Sequence, residues 1–269
     1  MLTSLPMYDL EPLREATDAW WSCLARALRG CGFDPVPERL DRGDFGDRFA
    51  HWSAPDLLLS QTCGYPLTHD FADKVRLVAT PCYDTPHTQG ADYCSVVLVK
   101  QGDPADGLEA LRGRRVAVNG FDSQSGFNAL RALIAPLARD GRFFGATIET
   151  GRHHLSLEMV AQGDADLCAI DCVSYALMAD TMPEAIAATR ILTTTSHAPS
   201  LPYVTANERS DAEVSALQDA LNNAVADPDS AAPRKRLRLT GFAMLERSSY
   251  DRIDAMEQQA IDQGYGVLA

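Results

Sequence analysis

Short apolar runs alternate with amphipathic segments along almost the whole chain of 269 residues. The runs at Asp56–Gln61, Tyr93–Lys100 and Leu167–Asp171 have the lengths and residue types of buried strands. Between such runs, Glu11–Arg29 and Ser125–Ala138 carry apolar residues at helical spacing. Alternation of strands and helices predicts an α/β fold, with mixed, mostly parallel sheets covered by helices on both faces.

The alternation of strands and helices also limits how the chain can divide into domains. We predict further strands at Leu5–Leu10 and Pro35–Leu40, on either side of the first helix. No flexible linker is evident, because proline and glycine are scattered through the sequence. A chain of this length forms one large domain or two lobes of about 100–150 residues each. We expect two lobes that the chain enters, leaves and re-enters.

The charge balance narrows the possible partners. The formal net charge is −13, so the chain as a whole repels nucleic acids and anionic membranes. The dense basic run Arg234–Arg238 is interpreted as a solvated helix face. No apolar stretch reaches the roughly 18–20 residues that a membrane-spanning helix needs.

Residues 1–9 lack the charged and long apolar regions of a secretion leader. The expected location is therefore the periplasm if a leader precedes this sequence in the natural protein, and the cytoplasm otherwise.

The sequence contains seven cysteines, an odd number, and most have apolar neighbours. This pattern predicts reduced, buried thiols rather than a disulfide framework. Cys168 and Cys172 are four residues apart, but no second pair of metal-binding residues accompanies them. We expect neither a metal site nor a cofactor.

The clearest local signal is the segment Val116–Gly126, in which a strand ends at a glycine turn and a helix opens with Ser123 and Ser125. The first turn of a helix has unpaired N–H groups and partial positive charge, and the two hydroxyls add donors. Such a turn suits an oxyanion such as carboxylate or phosphate. The spacing equally fits simple N-capping of the helix by a serine.

Two other strands end in polar residues. Ser60 and Gln61 end the strand at Asp56–Gln61, where ligands of open parallel sheets bind, although an ordinary polar loop fits as well. Asp171 ends a buried apolar strand and needs a partner. That partner is either a ligand amine or the N-terminus of the following helix.

Four further residues have both a possible ligand role and a structural alternative. His153 and His154 are adjacent at a turn, so both cannot face one ligand, and a capping or surface role is the alternative for either. Tyr8 and Tyr203 follow prolines at strand ends, where an aromatic ring can line a pocket or pack in the core. No common nucleophile, nucleotide-binding or zinc-peptidase motif is present.

The order of these segments resembles the phosphate/phosphonate-type substrate-binding proteins of ABC importers, which have the type 2 periplasmic-binding-protein fold. The resemblance rests on Leu5–Tyr8, Asp56–Gln61, Arg115–Asn119, Ser123–Gly126, Gly151–His153, Gly163–Asp166, Ala169–Asp171, Leu201–Tyr203 and Gly241–Phe242. The chain departs from the family in two ways. Gln124 interrupts the usual run of serine and threonine, and no secretion leader is visible.

This resemblance implies two lobes joined by two hinge strands, with a ligand trapped between the lobes by closure. The first lobe would comprise residues 1–92 and 203–269, and the second residues 93–202. The chain would cross between the lobes near Tyr93–Ser95 and near Leu201–Tyr203.

The resemblance also implies roles for particular residues. Ser123, Gln124, Ser125 and the N–H of Gly126 would hold an oxyanion, with a further hydrogen bond from His153. Asp171 would bind a ligand amine or anchor its loop. The residues expected to face the ligand from the first lobe and hinge are Tyr8, Ser60, Gln61 and Tyr203.

We therefore expect a monomeric solute-binding protein that traps a small anionic or zwitterionic ligand, a phosphonate- or phosphate-like oxyanion, for an ABC permease. It is expected not to be an enzyme. One alternative is a cytoplasmic enzyme of the same fold, as in thiamine-precursor or menaquinone synthesis, although the cysteine-rich run of the thiamine-precursor type is missing. The other alternative is a ligand-sensing partner of a regulator or kinase.

Overall fold

A computed structural model of the chain describes residues 1–43 and 48–269. The chain divides into two units, residues 1–84 with 199–249 and residues 85–198 with 250–269. Each unit contains a five-stranded sheet and several helices, which confirms the predicted α/β class with mixed sheets. Within the described residues, no helix combines the length and hydrophobicity required to cross a membrane.

The strands and helices are numbered in chain order. The strands are β1 (Leu2–Thr3), β2 (Leu57–Gln61), β3 (Val75–Tyr83), β4 (Asp92–Tyr93), β5 (Ser95–Lys100), β6 (Arg115–Val118), β7 (Ala146–Glu149), β8 (Leu167–Asp171), β9 (Thr189–Thr194), β10 (Ala198–Pro199), β11 (Tyr203–Ala206) and β12 (Leu239–Ala243). The helices are α1 (Arg14–Gly30), α2 (Arg48–Trp52), α3 (Gly64–Thr68), α4 (Ala129–Ile134), α5 (His153–Gln162), α6 (Cys172–Thr181), α7 (Pro183–Ala187), α8 (Asp211–Ala226), α9 (Ala231–Arg236) and α10 (Asp251–Asp262).

The sheet of the first unit has the strand order β1-β2-β11-β3-β12. Strand β1 is parallel to β2, and β11 lies antiparallel between β2 and β3. Strand β12 is antiparallel to β3. Strands β1, β2 and β3 therefore point the same way, with β11 and β12 reversed. Strand β2 is buried along its whole length, as its continuous leucine run predicts.

The sheet of the second unit has the strand order β7-β6-β8-β5-β9. Strand β6 is parallel to both β7 and β8, whereas β5 is antiparallel to β8 and to β9. Four strands therefore share one direction and β5 alone runs against them. Because parallel strands end at the same edge of a sheet, the segments that follow β6, β7 and β8 lie together there.

The predicted strands at Leu5–Leu10 and Pro35–Leu40 are wrong. The first strand lies earlier, at Leu2–Thr3, and Pro6 lacks the N–H that a ladder would need. In the second segment, the carbonyls of Val36 and Pro37 accept hydrogen bonds from the side chains of Arg29 and Trp21. Side chains of α1 thus replace the strand partner that the sequence pattern suggested.

The division of the chain differs from the sequence-based expectation at its C-terminal end. Residues 250–269 belong to the second unit, whereas we had assigned 203–269 to the first lobe. Ala260, Tyr265 and Leu268 are part of the core of the second unit. The N–H groups of Phe143 and Phe144 donate to the carbonyl of the last residue, Ala269. Helical periodicity identified α10 but not the sheet that its apolar face covers.

Candidate functional site

The opening of the helix after β6 is built around Ser123. Ser123 precedes a π-helical turn, Gln124–Asn128, that continues into α4. Its Oγ accepts a hydrogen bond of 3.1 Å from the N–H of Gly126. Such π-turns are frequent at functional sites, and the helix start carries partial positive charge. Ser123 therefore performs the capping role, one of the two roles that the sequence left open.

Ser125 lies between Ser123 and His153. Its Oγ is 3.0 Å from His153 Nε2 and 3.4 Å from Ser123 Oγ. The hydroxyl of Ser95, at the start of β5, donates to the carbonyl of Ser125 over 2.9 Å. Asp171 Oδ2 lies 3.4 Å from the same nitrogen of His153. The structure thus brings Ser123, Ser125, His153 and Asp171 together, and we call these four residues the serine–histidine cluster.

The arrangement of hydrogen bonds fixes the direction in which the serines can donate. The Asp171 carboxylate only accepts hydrogen bonds, so the facing Nε2 of His153 carries a proton, and the Ser125 hydroxyl cannot donate to it. The Ser123 oxygen already accepts from Gly126. The contact between the two hydroxyls uses at most one of their protons. At least one serine proton can therefore be donated to a bound anion.

This cluster contains the three residue types of a hydrolase triad but not its geometry. In a triad, the histidine uses one ring nitrogen for the serine and the other for the carboxylate. Here Ser125 and Asp171 both lie at Nε2 of His153. Asp171 Oδ1 also accepts from the N–H of Ser174 over 2.7 Å and so caps α6. The cluster cannot relay a proton away from Ser125.

Two buried polar atoms adjoin Gly126. Among the residues that the structure describes, Asn119 Oδ1 and His153 Nδ1 have no hydrogen-bond partner. A Cβ placed on Gly126 would lie 1.9 Å from Asn119 Oδ1 and 3.3 Å from His153 Cε1. The close approach of these side chains to the helix opening therefore requires glycine at position 126.

The resemblance implies that Gln124 binds the ligand, but its side chain points into the protein instead. Its Oε1 accepts a hydrogen bond of 2.7 Å from Asn128, and its Nε2 lies 3.2 Å from Met256 Sδ on α10. The side chain is only 1% exposed. Gln124 is held in the packing between the π-turn and α10, so its backbone is the part that remains near the serines.

Burial lowers the pKa of His153, and the nearby Asp171 carboxylate opposes this shift only in part. Burial also lowers the pKa of His51 and His154. Each ring is therefore neutral in the folded protein at pH 7, and protonation is easier in the unfolded chain.

We expect the free energy of unfolding to decrease as pH falls through the ordinary histidine value near 6.5, because the unfolded state then binds more protons. One proton contributes at most about 1.4 kcal/mol per pH unit. Urea denaturation between pH 7.5 and 5.5 measures this slope. The slope should be smaller in His153→Gln, and an unchanged slope would show that His153 does not contribute.

In the first unit, three of the four predicted ligand-facing residues surround a small cavity of about 30 Å³. Tyr8, Gln61 and Tyr203 line it together with Tyr83. Gln61 Nε2 donates to the Tyr83 hydroxyl over 3.2 Å, and the Tyr8 and Tyr83 rings pack edge to face. Every residue that lines the cavity is uncharged. The cavity has roughly the volume of one water molecule.

Ser60, the fourth residue predicted in the first unit, does not join this group. Its Oγ accepts from Trp52 Nε1 over 3.0 Å and lies 2.7 Å from the Ser4 hydroxyl. Ser60 is fully buried. Neighbouring residues of a strand point to opposite faces. Gln61 therefore reaches the cavity, whereas Ser60 is hydrogen-bonded to Trp52 of α2.

Ser95 contacts the serine–histidine cluster and Tyr83 lines the first-unit cavity. Neither residue was predicted from the sequence. Ser95 starts a strand that the sequence identified, but nothing in the pattern indicated that its hydroxyl reaches Ser125. Tyr83 is the last residue of β3, and no pattern in the sequence marked it. Asn119 directly follows β6 and Asp171 ends β8, and this similar position was a usable signal.

Comparison with solved structures shows related folds at low sequence identity. A binding protein component of an ABC phosphonate transporter from Pseudomonas aeruginosa is 14% identical, with a TM-score of 0.77 over 98% of this chain and 87% of that chain. PhnD1 from Prochlorococcus marinus, in complex with methylphosphonate, is 13% identical, with a TM-score of 0.75 over 97% and 98%. A Xanthomonas citri protein bound to chloride ion is 15% identical, with a TM-score of 0.73 over 99% of both chains.

A search among curated proteins found no significant relative. The model of one protein family, described as the periplasmic phosphonate substrate-binding protein of ABC transporters, matches residues 54–250. This match covers most of the chain and includes the serine–histidine cluster. Together with the fold, it shows that the chain belongs to the phosphonate substrate-binding family of ABC transporter proteins.

Proposed function

We propose that the second unit binds the charged group of a small phosphonate- or phosphate-like oxyanion at the serine–histidine cluster. The observation that carries this proposal is the direction of the hydrogen bonds. The Ser123 oxygen accepts from Gly126 N–H. The Ser125 oxygen lies 3.0 Å from His153 Nε2, which is a donor when this nitrogen carries the proton that faces the Asp171 carboxylate. The remaining hydroxyl protons of the two serines match an acceptor, and hydrogen bonds to a charged acceptor are among the stronger ones in proteins.

Each member of the cluster has a distinct role in this proposal. Ser123 and Ser125 donate to the oxyanion at the positive end of the helix. His153 orients Ser125 through its Nε2. Asp171 holds His153 and caps α6, so it is a positioning residue rather than a binder of a ligand amine.

The ligand-facing roles expected of Tyr8, Gln61 and Tyr203 are a separate proposal for the first unit. These three residues line the uncharged first-unit cavity. An uncharged lining suits a neutral group better than an ammonium group. The methylphosphonate of the Prochlorococcus marinus complex has the chemistry that this proposal requires.

The proposed physiological role is ligand delivery to an ABC permease from the periplasm. The support is the family itself, whose members are periplasmic substrate-binding proteins of ABC transporters. Two observations disfavour the enzyme alternative. The family consists of binding proteins, and the serine–histidine cluster lacks a proton relay. The sensing alternative shares the same pocket and differs only in its protein partner.

A thermal-shift screen of the purified chain tests the proposed ligand class. The panel contains phosphate, phosphite, methylphosphonate and longer alkylphosphonates, sulfonates, carboxylates and amino acids. We expect methylphosphonate or a close analogue to raise the melting temperature in a saturable way, because a ligand that binds only the folded state stabilises it. A flat response of the folded protein to all phosphorus oxyanions would contradict the proposal.

Replacement of Ser125 by alanine should weaken binding of the oxyanion that scores in the screen by about tenfold or more. Ser123→Ala should do the same and also lose a helix cap worth about 1 kcal/mol. Ser210 caps α8 in the first unit, so Ser210→Ala is the matched control for lost capping. It should reduce stability without reducing affinity. Equal affinity in all three variants would exclude the serines as ligands.

A further inference from the structure

Cys94 and Cys172 lie next to each other where β5 begins and β8 ends. The last paired residues of these antiparallel strands are Ser95 and Asp171. Cys94 precedes Ser95, and Cys172 follows Asp171 as the first residue of α6. The N–H of Cys172 donates to the carbonyl of Cys94 over 2.9 Å. The two residues are therefore held in register by the backbone.

This spacing suits a disulfide. Residues joined by a backbone hydrogen bond across an antiparallel ladder have Cα atoms about 5.5 Å apart, and disulfide-bonded cysteines have Cα atoms about 4.4–6.8 Å apart. The thiols of Cys94 and Cys172 also contact each other. Both residues are buried, with 2% of Cys94 and 1% of Cys172 exposed.

Neighbouring polar groups contact both thiols. Cys94 Sγ lies 3.6 Å from the carbonyl of His87, and the Thr85 hydroxyl lies 3.7 Å from Cys172 Sγ. The contact between the two thiols lowers the pKa of Cys94 and raises the pKa of Cys172. One thiol is thus favoured as the thiolate that attacks a disulfide.

We propose that Cys94 and Cys172 are a dithiol pair that forms a disulfide in the folded protein by exchange with a disulfide-bearing oxidant. The thiolate of one cysteine attacks the oxidant, and a mixed disulfide forms as the first oxidant thiol leaves. The second cysteine then attacks the mixed disulfide and releases the second oxidant thiol. One sulfur–sulfur bond forms and one breaks, and the two cysteine protons end on the two released thiols.

The neighbouring residues give this bond a structural role that does not depend on the identity of the ligand. Ser95 follows Cys94 and donates to the carbonyl of Ser125. Asp171 precedes Cys172 and lies beside His153. A bond between the cysteines would fix the ends of the two strands that carry these contacts. The periplasm, where the family acts, is a compartment in which disulfides form and persist.

Cys168 provides an internal control on the same strand. It is completely buried, and its opposed residues are Leu98 on β5 and Ala117 on β6. No cysteine faces it in either pairing. Burial in this apolar position raises the pKa of Cys168. It should therefore stay reduced under conditions that oxidise the pair.

The test is disulfide mapping of the full chain after incubation with excess oxidised glutathione. The folded protein is quenched with N-ethylmaleimide, digested without reduction and analysed by mass spectrometry. We expect a linked peptide pair containing Cys94 and Cys172, with Cys168 recovered as a free thiol. The linked protein should melt roughly 5 °C higher than the reduced one, because the bond closes a long loop. Cys94→Ala should show neither the link nor the shift.

Two results would overturn the proposal. One is recovery of Cys94 and Cys172 as free thiols or as glutathione adducts while the protein remains folded. The other is a linked pair whose melting temperature falls, because this would mean that the bond forms only by distorting the native strands.

Discussion

Replacement of Arg131 by methionine is expected to reduce the free energy of unfolding by about 3–5 kcal/mol. The guanidinium is only 2% exposed and is bound by three acceptors from different parts of the second unit. Its Nη2 donates to Asn128 Oδ1 over 2.6 Å and to Glu257 Oε1 over 2.9 Å. Its Nη1 donates to the carbonyl of Gly266 over 2.8 Å. Removal of the guanidinium leaves a partly buried carboxylate and two carbonyl oxygens without their donor.

The matched control for this prediction is Arg252→Met in the same unit. Arg252 forms a salt bridge with Asp92, but its side chain is 46% exposed, and exposed pairs contribute about 1 kcal/mol or less. Urea denaturation of both variants gives the comparison. The double variant Arg131→Met with Glu257→Met should recover part of the loss, since the carboxylate that loses the guanidinium is removed as well. A loss in Arg131→Met no larger than in Arg252→Met would contradict this view of the core.

Replacement of Gly126 by alanine should weaken oxyanion binding by about tenfold or more and reduce stability by roughly 1–3 kcal/mol. The added Cβ would overlap Asn119 Oδ1, at 1.9 Å, and press on His153 Cε1, at 3.3 Å. Both side chains adjoin the N–H of Gly126 that Ser123 holds. The overlap therefore displaces the helix opening on which the proposed oxyanion site depends.

Gly107→Ala is the control for Gly126→Ala. Gly107 is in extended backbone conformation, and no atom lies within 4 Å of a Cβ placed there. This variant should bind as the wild type does. Affinity is measured by calorimetric titration of methylphosphonate at matched protein concentrations. Wild-type affinity in Gly126→Ala would mean that the helix opening tolerates the extra methyl group and that the oxyanion lies elsewhere.

The residues of the serine–histidine cluster lie together because three of them follow or end parallel strands. Ser123, His153 and Asp171 come soon after β6, β7 and at the end of β8, and parallel strands end at a common edge. Strand order alone therefore brings these residues together. What the sequence could not give was the hydrogen-bond direction, because that depends on distances between side chains far apart in the chain.

Ser60 and Gln124 show that sequence patterns do not predict the direction in which a polar side chain points. The position of Ser60 at a strand end and the family resemblance of Gln124 predicted ligand roles, but both side chains turn into the protein. Side chains alternate along β2, so Ser60 and Gln61 lie on opposite faces of the strand. The alternation does not identify the face that would contact a ligand. Helical spacing of four residues places Gln124 beside Asn128, and only the packing of α10 shows that this network is internal.

The C-terminal helix shows the same limit at the level of domains. The sequence pattern of residues 250–263 is typical of a helix, and the structure has one at Asp251–Asp262. An apolar face does not identify the core in which it is buried. The contacts of Ala260 and Tyr265 with the second-unit core depend on long-range packing that no local pattern records.

The most direct test of the proposed oxyanion site is a calorimetric titration of methylphosphonate into the wild-type protein and into Ser125→Ala. The account predicts saturable single-site binding with a dissociation constant in the micromolar range or tighter, about −8 kcal/mol or more favourable. It predicts binding at least roughly tenfold weaker in the variant. Absence of binding to the folded wild type, or equal affinity in both proteins, would contradict an oxyanion site at the serine–histidine cluster.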